Sequence, residues 1–173
     1  MASERLYTPW RMKYVGSTRT EMDDCIFCSK CNDDSGRDRE NFLIYRGQTV
    51  YAMLNIYPYN TGHLMVLPYQ HVASLVEMSP EMQVELISLI TYFTELLTDL
   101  MRPDGFNVGF NMGRAAGAGI DSHLHVHIVP RWSGDSNFMP VIGETRVLPE
   151  ELIDTYDRMV KWLKGRPPAA DNG

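Results

Sequence analysis

Residues 123–129, HLHVHIV, alternate histidine with aliphatic side chains. In an extended strand successive side chains point to opposite faces. His123, His125 and His127 therefore share one face, and Leu124, Val126 and Ile128 share the other. Same-face neighbours lie roughly 7 Å apart along a strand. The aliphatic face can join a core, which leaves three of the chain's five histidines to line something polar. A half-buried strand with this pattern, stopped at Pro130, is the strongest constraint on the fold.

Three readings of that face follow from the residues. It is an outer strand face that happens to carry histidine, although Thr, Lys or Glu is the commoner choice there. It is a metal site, since neighbouring imidazoles can grip one ion. Or it is a nucleophilic site, because a neutral imidazole attacks well near pH 7 when an acceptor holds its other nitrogen.

The rest of the chain supplies partners for the strand. NFLIYR (41–46), TVYAMLN (49–55) and HLMVLP (63–68) are apolar, β-rich runs. Gly47 and Gln48 between the first two predict a tight hairpin, and IYPYNTG is a turn cluster. Ser79-Pro80-Glu81 starts a helix. Met82, Leu86, Leu89, Ile90, Phe93, Leu97 and Leu100 continue it at helical spacing, up to Pro103 and Gly105. GFNVGFN (105–111) predicts a strand and GRAAGAG (113–119) a Gly/Ala loop before the histidines. A last helix is expected from Pro149 to Leu163, and residues 29–40 as a polar loop. The order β-β-β-α-β-β-α predicts an α+β domain on a mainly antiparallel sheet. We expect an N-terminal arm over 1–24, one domain over 25–164 and a disordered tail over 165–173.

Charge and cysteine usage narrow the function. A net charge of −6 argues against a general nucleic-acid binder, but not against a small phosphorylated substrate. The start of the chain has no apolar signal core, and the most apolar stretch is broken by Glu85, Glu95 and Asp99, which argues against a membrane span. Cys25, Cys28 and Cys31 crowd into seven residues. That is a poor disulfide framework and a better start for a metal site in a reducing cytosol. Cys25-Ile-Phe-Cys28 supplies half of a tetrahedral zinc site; the alternative is a pair of reduced structural thiols.

HLHVHIV matches, position by position, the His-φ-His-φ-His-φ-φ signature (φ hydrophobic) of the histidine triad family of nucleotide hydrolases and transferases, which the chain resembles. LNIYPYNTGHLMVLPYQH (54–71) is similar to the family's nucleotide-binding hairpin, and FNVGFNMG to the segment before its Gly-rich loop. The resemblance covers roughly residues 25–132. It implies the histidine triad fold: a mainly antiparallel five-stranded sheet with a long helix and a C-terminal helix. It implies that His125 attacks the α-phosphate of a nucleotide to form a nucleotidyl-histidine intermediate. His127 would be the second catalytic histidine, touching the phosphates and steadying charge on their oxygens. Main-chain N–H groups around Gly117 and Gly119 would add donors. Asn55 matches a ribose-binding position and is otherwise a turn asparagine. Asn111 matches a polar position near the α-phosphate, Leu54 and Ile56 would wall the base, and His63 is similar to a fourth family histidine. Many members carry Ser, Thr or Gln just before the triad, where this chain has Ala118 to Ser122.

The resemblance also implies structural zinc held by Cys25, Cys28, His71 and His123, with Cys31 free. A zinc hydrolase built on the triad is the rival, and it needs an open coordination position. TPWRMKY and PRWSGDSNF (130–138) resemble the bacterial diadenosine tetraphosphate phosphorylase branch, acting on dinucleoside polyphosphates. In that branch Trp132 would stack on a base or cover the phosphates; otherwise it packs at a loop or dimer edge. Phosphoramidate hydrolysis and a nucleotide-binding adaptor without turnover are the alternatives. A cytoplasmic homodimer is expected, with Leu86, Leu89 and Phe93 either at its interface or in the core.

Overall fold

The computed structural model describes residues 25–135, 150–166 and 168. The expected N-terminal arm, residues 136–149 and most of the expected tail lie outside the described residues. Helix α1 (Ile26–Cys31) and a short helix α2 (Asp38–Asn41) precede strands β1 (Leu43–Arg46), β2 (Val50–Leu54) and β3 (Leu64–Pro68). The long helix α3 (Pro80–Met101), β4 (Gly105–Gly109), β5 (Val126–Arg131) and α4 (Leu152–Leu163) follow. The strands form one five-stranded sheet in the order β1-β2-β3-β5-β4, antiparallel at every pairing. This is the expected α+β architecture. Among the described residues no helix is long and apolar enough to cross a membrane.

Residue alternation assigns the two faces of the sheet. Val50, Ala52, Leu54, Leu64, Val66, Leu124, Val126 and Ile128 pack on one side against α3 and α4. Leu43, Tyr51, Met53, Met65 and Leu67 face the other side and are covered by Cys25, Phe27, Cys28 and Cys31. One row runs across all five strands on that second face: Leu43, Met53, Met65, His127 and Gly109 are successive cross-strand partners. The glycine at its end leaves the space beside His127 without a side chain.

Helix α3 begins where Ser79 Oγ accepts the Met82 N–H at 3.3 Å, with Pro80 in the first turn, and it ends at Arg102 in the left-handed region (φ 48°). Its buried face is Met82, Leu86, Leu89, Phe93, Leu96 and Leu97. Leu86, Leu89 and Phe93 are therefore core residues of a single chain, which corrects their reading as interface candidates. Glu85 on the same helix accepts hydrogen bonds from Gln48 N and Thr49 N, both at 2.7 Å, fixing the β1–β2 turn. In the second turn Gly62 (φ 80°) packs so close to α3 that a Cβ would lie 2.6 Å from Met101 Sδ. A glycine is required there to bring His63 onto the sheet.

Several boundaries differ from expectation: the first strand begins at Leu43 rather than 41, and β4 ends at Gly109 rather than 111. The polar segment 29–40 contains the end of α1, a turn of 3₁₀ helix at Ser35–Arg37 and α2. Asp34 caps that turn by accepting Gly36 N at 2.7 Å, and Arg46 bonds the carbonyls of Cys31 and Asp33. The last helix begins at Leu152 rather than 149. The histidine strand is regular only from Val126. Val66 pairs with Val126, so two residues further on the register would place Pro68 opposite Leu124, and proline has no N–H to extend the ladder there. Leu124 N donates instead to Val72 O at 2.7 Å.

Phe93 is fully buried at the centre of α3. Phe93→Ala is expected to cost about 3–5 kcal/mol in equilibrium denaturation. A loss under 1 kcal/mol would show that this face of α3 is not a core face.

Candidate active site and metal centre

The break at Pro68 frees His123 and His125 from the ladder and builds two adjoining sites. In the first, Cys25 precedes α1, Cys28 sits on it, His71 follows β3 and His123 precedes β5. One ligand atom from each lies within 4.8 Å of all the others. Cys25 Sγ is 3.4 Å and Cys28 Sγ 3.5 Å from His123 Nδ1, and Cys28 Sγ is 3.3 Å from His71 Nδ1. Around a tetrahedral zinc with ordinary Zn–S and Zn–N bonds, sulfur and nitrogen ligands stand about 3.6 Å apart. The residues thus fit a four-coordinate ion. His123 Nε2 lies 2.9 Å from Pro68 O. A carbonyl only accepts, so Nε2 carries the proton and Nδ1 turns its lone pair toward the thiols.

Burial shapes the protonation of this group. It holds the His123 imidazole down to about 4, so the ring is neutral at pH 7. Burial, with the Cys25 thiol beside it, pushes Cys28 up to about 12. Without a cation the thiol keeps its proton, whereas metal ligation requires the thiolate. Cys31, also buried, donates to Cys28 O at 3.4 Å and lies outside the four-residue cluster.

The second site holds the other triad histidines. His125 Nδ1 is 2.8 Å from His123 O. The same argument puts the proton on Nδ1 and leaves the Nε2 lone pair directed away from the backbone. His125 is 7% exposed, and burial lowers its pKa below that of an ordinary histidine, against the opposing pull of the His123 carbonyl. His127 is set by a longer chain of hydrogen bonds. Tyr59 N donates to His63 Nδ1 at 3.1 Å, so the proton of His63 is on Nε2. That nitrogen is 2.9 Å from His127 Nδ1, which must accept, so neutral His127 carries its own proton on Nε2. The two catalytic candidates therefore have opposite tautomers: His125 offers a lone pair at Nε2, and His127 a donor. His63 is fully buried and stacked on Tyr59, with ring centroids 4.8 Å apart.

His125 and His127 open into a cavity whose wall includes Leu54, Asn55, Ile56, Asn111, Gly117 and Gly119. All six were expected from the sequence. Asn55 Oδ1 accepts Tyr57 N at 2.9 Å, so the side chain shapes the turn and keeps its amide N–H groups for other partners. Gly117 N is used within its own loop, donating to Arg114 O at 2.9 Å. Of the two glycines, only Gly119 has its N–H without a partner among the described residues. Trp132 lies in the turn after β5, where its N–H donates to Asp135 Oδ2, and it is not part of the cavity wall. The sequence reading missed Ile26, Phe27, Lys30, Met53, Tyr57, Tyr59, Met65 and Ile120, which complete that wall. The two methionines were accessible to it, since strand alternation puts them on the histidine face.

The fold and the paired histidines define a histidine triad protein. The HIT domain model matches residues 37–134, and the chain belongs to the HIT family of nucleotide hydrolases and transferases. It is 41% identical over 156 residues to the AP-4-A phosphorylase of Mycobacterium tuberculosis, covering 88% of this chain and 80% of that protein. Among solved structures, a hypothetical histidine triad nucleotide-binding protein from Sulfolobus tokodaii is similar, with 28% identity and a TM-score of 0.62. That match covers 86% of this chain and all of the other. A Zn-bound histidine triad family protein from Mycobacterium smegmatis shares the fold, with a TM-score of 0.65 at 23% identity over 84% of this chain and 96% of its own.

The depressed His125 has a direct readout. In an NMR pH titration its ring should remain neutral below the ordinary histidine midpoint of about 6.5. A midpoint at or above that value would contradict the buried, carbonyl-bound geometry.

Proposed function

We propose that the protein is a nucleotidyl hydrolase/transferase that acts at the α-phosphate of dinucleoside polyphosphates of the diadenosine tetraphosphate type. The observation that carries this reading is the opposed pair of tautomers, a lone pair at His125 Nε2 beside a donor on His127. The 41% identity to a mycobacterial AP-4-A phosphorylase supports the substrate class.

In the first step the His125 Nε2 lone pair forms a bond to the α-phosphorus. The bond from phosphorus to the bridging oxygen breaks, and its electrons leave with the departing polyphosphate. His127 N–H and the Gly119 N–H steady the non-bridging oxygens, and Asn55 Nδ2 meets the ribose hydroxyls. In the second step an oxygen of inorganic phosphate or water bonds to phosphorus, the proton on that oxygen passes to solvent, and the P–N bond returns its electrons to Nε2. Phosphate releases a nucleoside diphosphate; water releases a monophosphate. Asn111 sits beside the reacting phosphate, and Leu54 and Ile56 flank the base.

We place zinc at Cys25, Cys28, His71 and His123. Bound by all four it is closed to water and supplies folding stability, not a nucleophile. The span 25–164 is then one domain, with its N-terminal helix clipped to the segment that carries His125. The exposed edge strand β4, with Val108 47% exposed, is our choice for homodimer contact. Reduced, closely spaced cysteines suit a cytoplasmic setting.

Incubation with diadenosine tetraphosphate, with and without inorganic phosphate, tests the reaction. The expected products are ADP and ATP when phosphate is present, or AMP and ATP when water is the acceptor. His125→Ala should abolish either outcome. Turnover unchanged by that substitution would exclude the mechanism, and nucleotide binding without turnover would make the protein an adaptor.

Metal content tests the zinc assignment separately. One equivalent per chain is expected by elemental analysis, and Cys28→Ser should lose it and unfold at a lower temperature. Each kcal/mol lost lowers Tm by roughly 2–4 °C in a domain of this size. A stable, metal-free wild-type chain would refute the assignment.

A further inference from the structure

Lys30 stands apart in the cavity wall. Its neighbours there are largely apolar: Ile26 and Phe27 from the same helix, and Met53, Leu54 and Ile56 from the sheet and turn. It is partly buried, and among the described residues no carboxylate pairs with it; its one hydrogen bond is Nζ to Asn41 O at 3.3 Å. An ammonium has three donors and no acceptor, so most of its bonding capacity is directed elsewhere.

The position of Lys30 decides what it can meet. Asn41 lies just before β1, and Phe42 O accepts Leu54 N at 2.9 Å, which puts the Lys30 ammonium on the β1–β2 side of the cavity. His127 is on β5, and the cross-strand row from Leu43 to His127 spans three strand spacings, about 14 Å. Phe27, one helical turn before Lys30, already lies against His125, with ring centroids 5.2 Å apart. A nucleotide whose α-phosphate is at His125 therefore points its base, not its phosphate, toward Lys30.

We propose that Lys30 reads the base and makes the site prefer 6-oxopurines, guanine above all, over adenine. This rests on the nucleotidyl-transfer reading above: it keeps the dinucleoside polyphosphate class and puts guanosine ahead of adenosine within it. Guanine presents O6 and N7 as adjacent acceptors, which suit a lysine donor. Adenine places its N6 amino group, itself a donor, where O6 would be. An ammonium that only donates gains two adjacent acceptors from the first, and from the second N7 alone, beside a competing donor. The preferred substrates are then dinucleoside polyphosphates that carry guanosine on the nucleotidyl side.

Calorimetric titration of the metal-loaded full-length chain with GMP, IMP and AMP tests this without requiring turnover. IMP keeps O6 and N7 and lacks the 2-amino group, so it isolates the edge in question. Wild type should bind GMP and IMP roughly tenfold or more tighter than AMP. Lys30→Met should remove the difference by weakening GMP and IMP binding, and Lys30→Arg should retain it. Equal or tighter AMP binding by wild type overturns the proposal. So does a Lys30→Met variant that loses all three ligands equally, which would place the ammonium on the sugar-phosphate. Binding of none of them overturns both the base reading and the nucleotide site. Failure of diadenosine and diguanosine tetraphosphates alike to turn over, with the binding preference intact, would sink only the proposed reaction.

Discussion

The site depends on the interruption of one sheet ladder. Pro68 cannot donate to the segment before β5, so regular pairing stops at Val66 and Val126. The carbonyl of Pro68 instead accepts His123 Nε2–H, and the carbonyl of His123 accepts His125 Nδ1–H. Two backbone acceptors thus set two tautomers in succession. The first turns His123 Nδ1 toward the cysteines; the second leaves His125 with its lone pair at Nε2. A continuous strand would have spent those backbone groups on its neighbour.

The same arrangement couples the two-cysteine, two-histidine cluster to the catalytic candidates. Phe27 lies between Cys25 and Cys28 on the chain, and its ring contacts both His123 and His125, at centroid distances of 5.5 and 5.2 Å. Helix α1 is only six residues long, too short to be stable alone. Its cysteines hold it to the sheet, and Ile26, Phe27 and Lys30 then become one wall of the cavity. Residues of the cluster and residues of the cavity wall are interleaved along this one short helix.

Much of this was legible in the sequence because periodicity carries it. The alternation at 123–129 assigned Leu124, Val126 and Ile128 to the core, and the helical spacing of Met82 to Leu97 found the long helix. The family resemblance gathered residues that do meet in space, including the four cysteines and histidines of the cluster that could hold a metal and six residues of the cavity wall. Apart from Met53 and Met65, what escaped had no local signal. The interruption at Val126 arises from a proline on a different strand. The His63–His127 hydrogen bond joins residues 64 positions apart. Lys30 reads as a solvated lysine in a polar stretch until α1 is folded over the sheet.

The central claim is that fixed tautomers make His125 Nε2 the nucleophile, with His127 as its donor partner. The most direct test is to quench the enzyme during turnover under alkaline conditions and map the modified peptide. NMR of that peptide then identifies the substituted ring nitrogen. A nucleotidyl group on Nε2 of His125 is the result this geometry predicts. A group on His127, or on Nδ1 of His125, would contradict it.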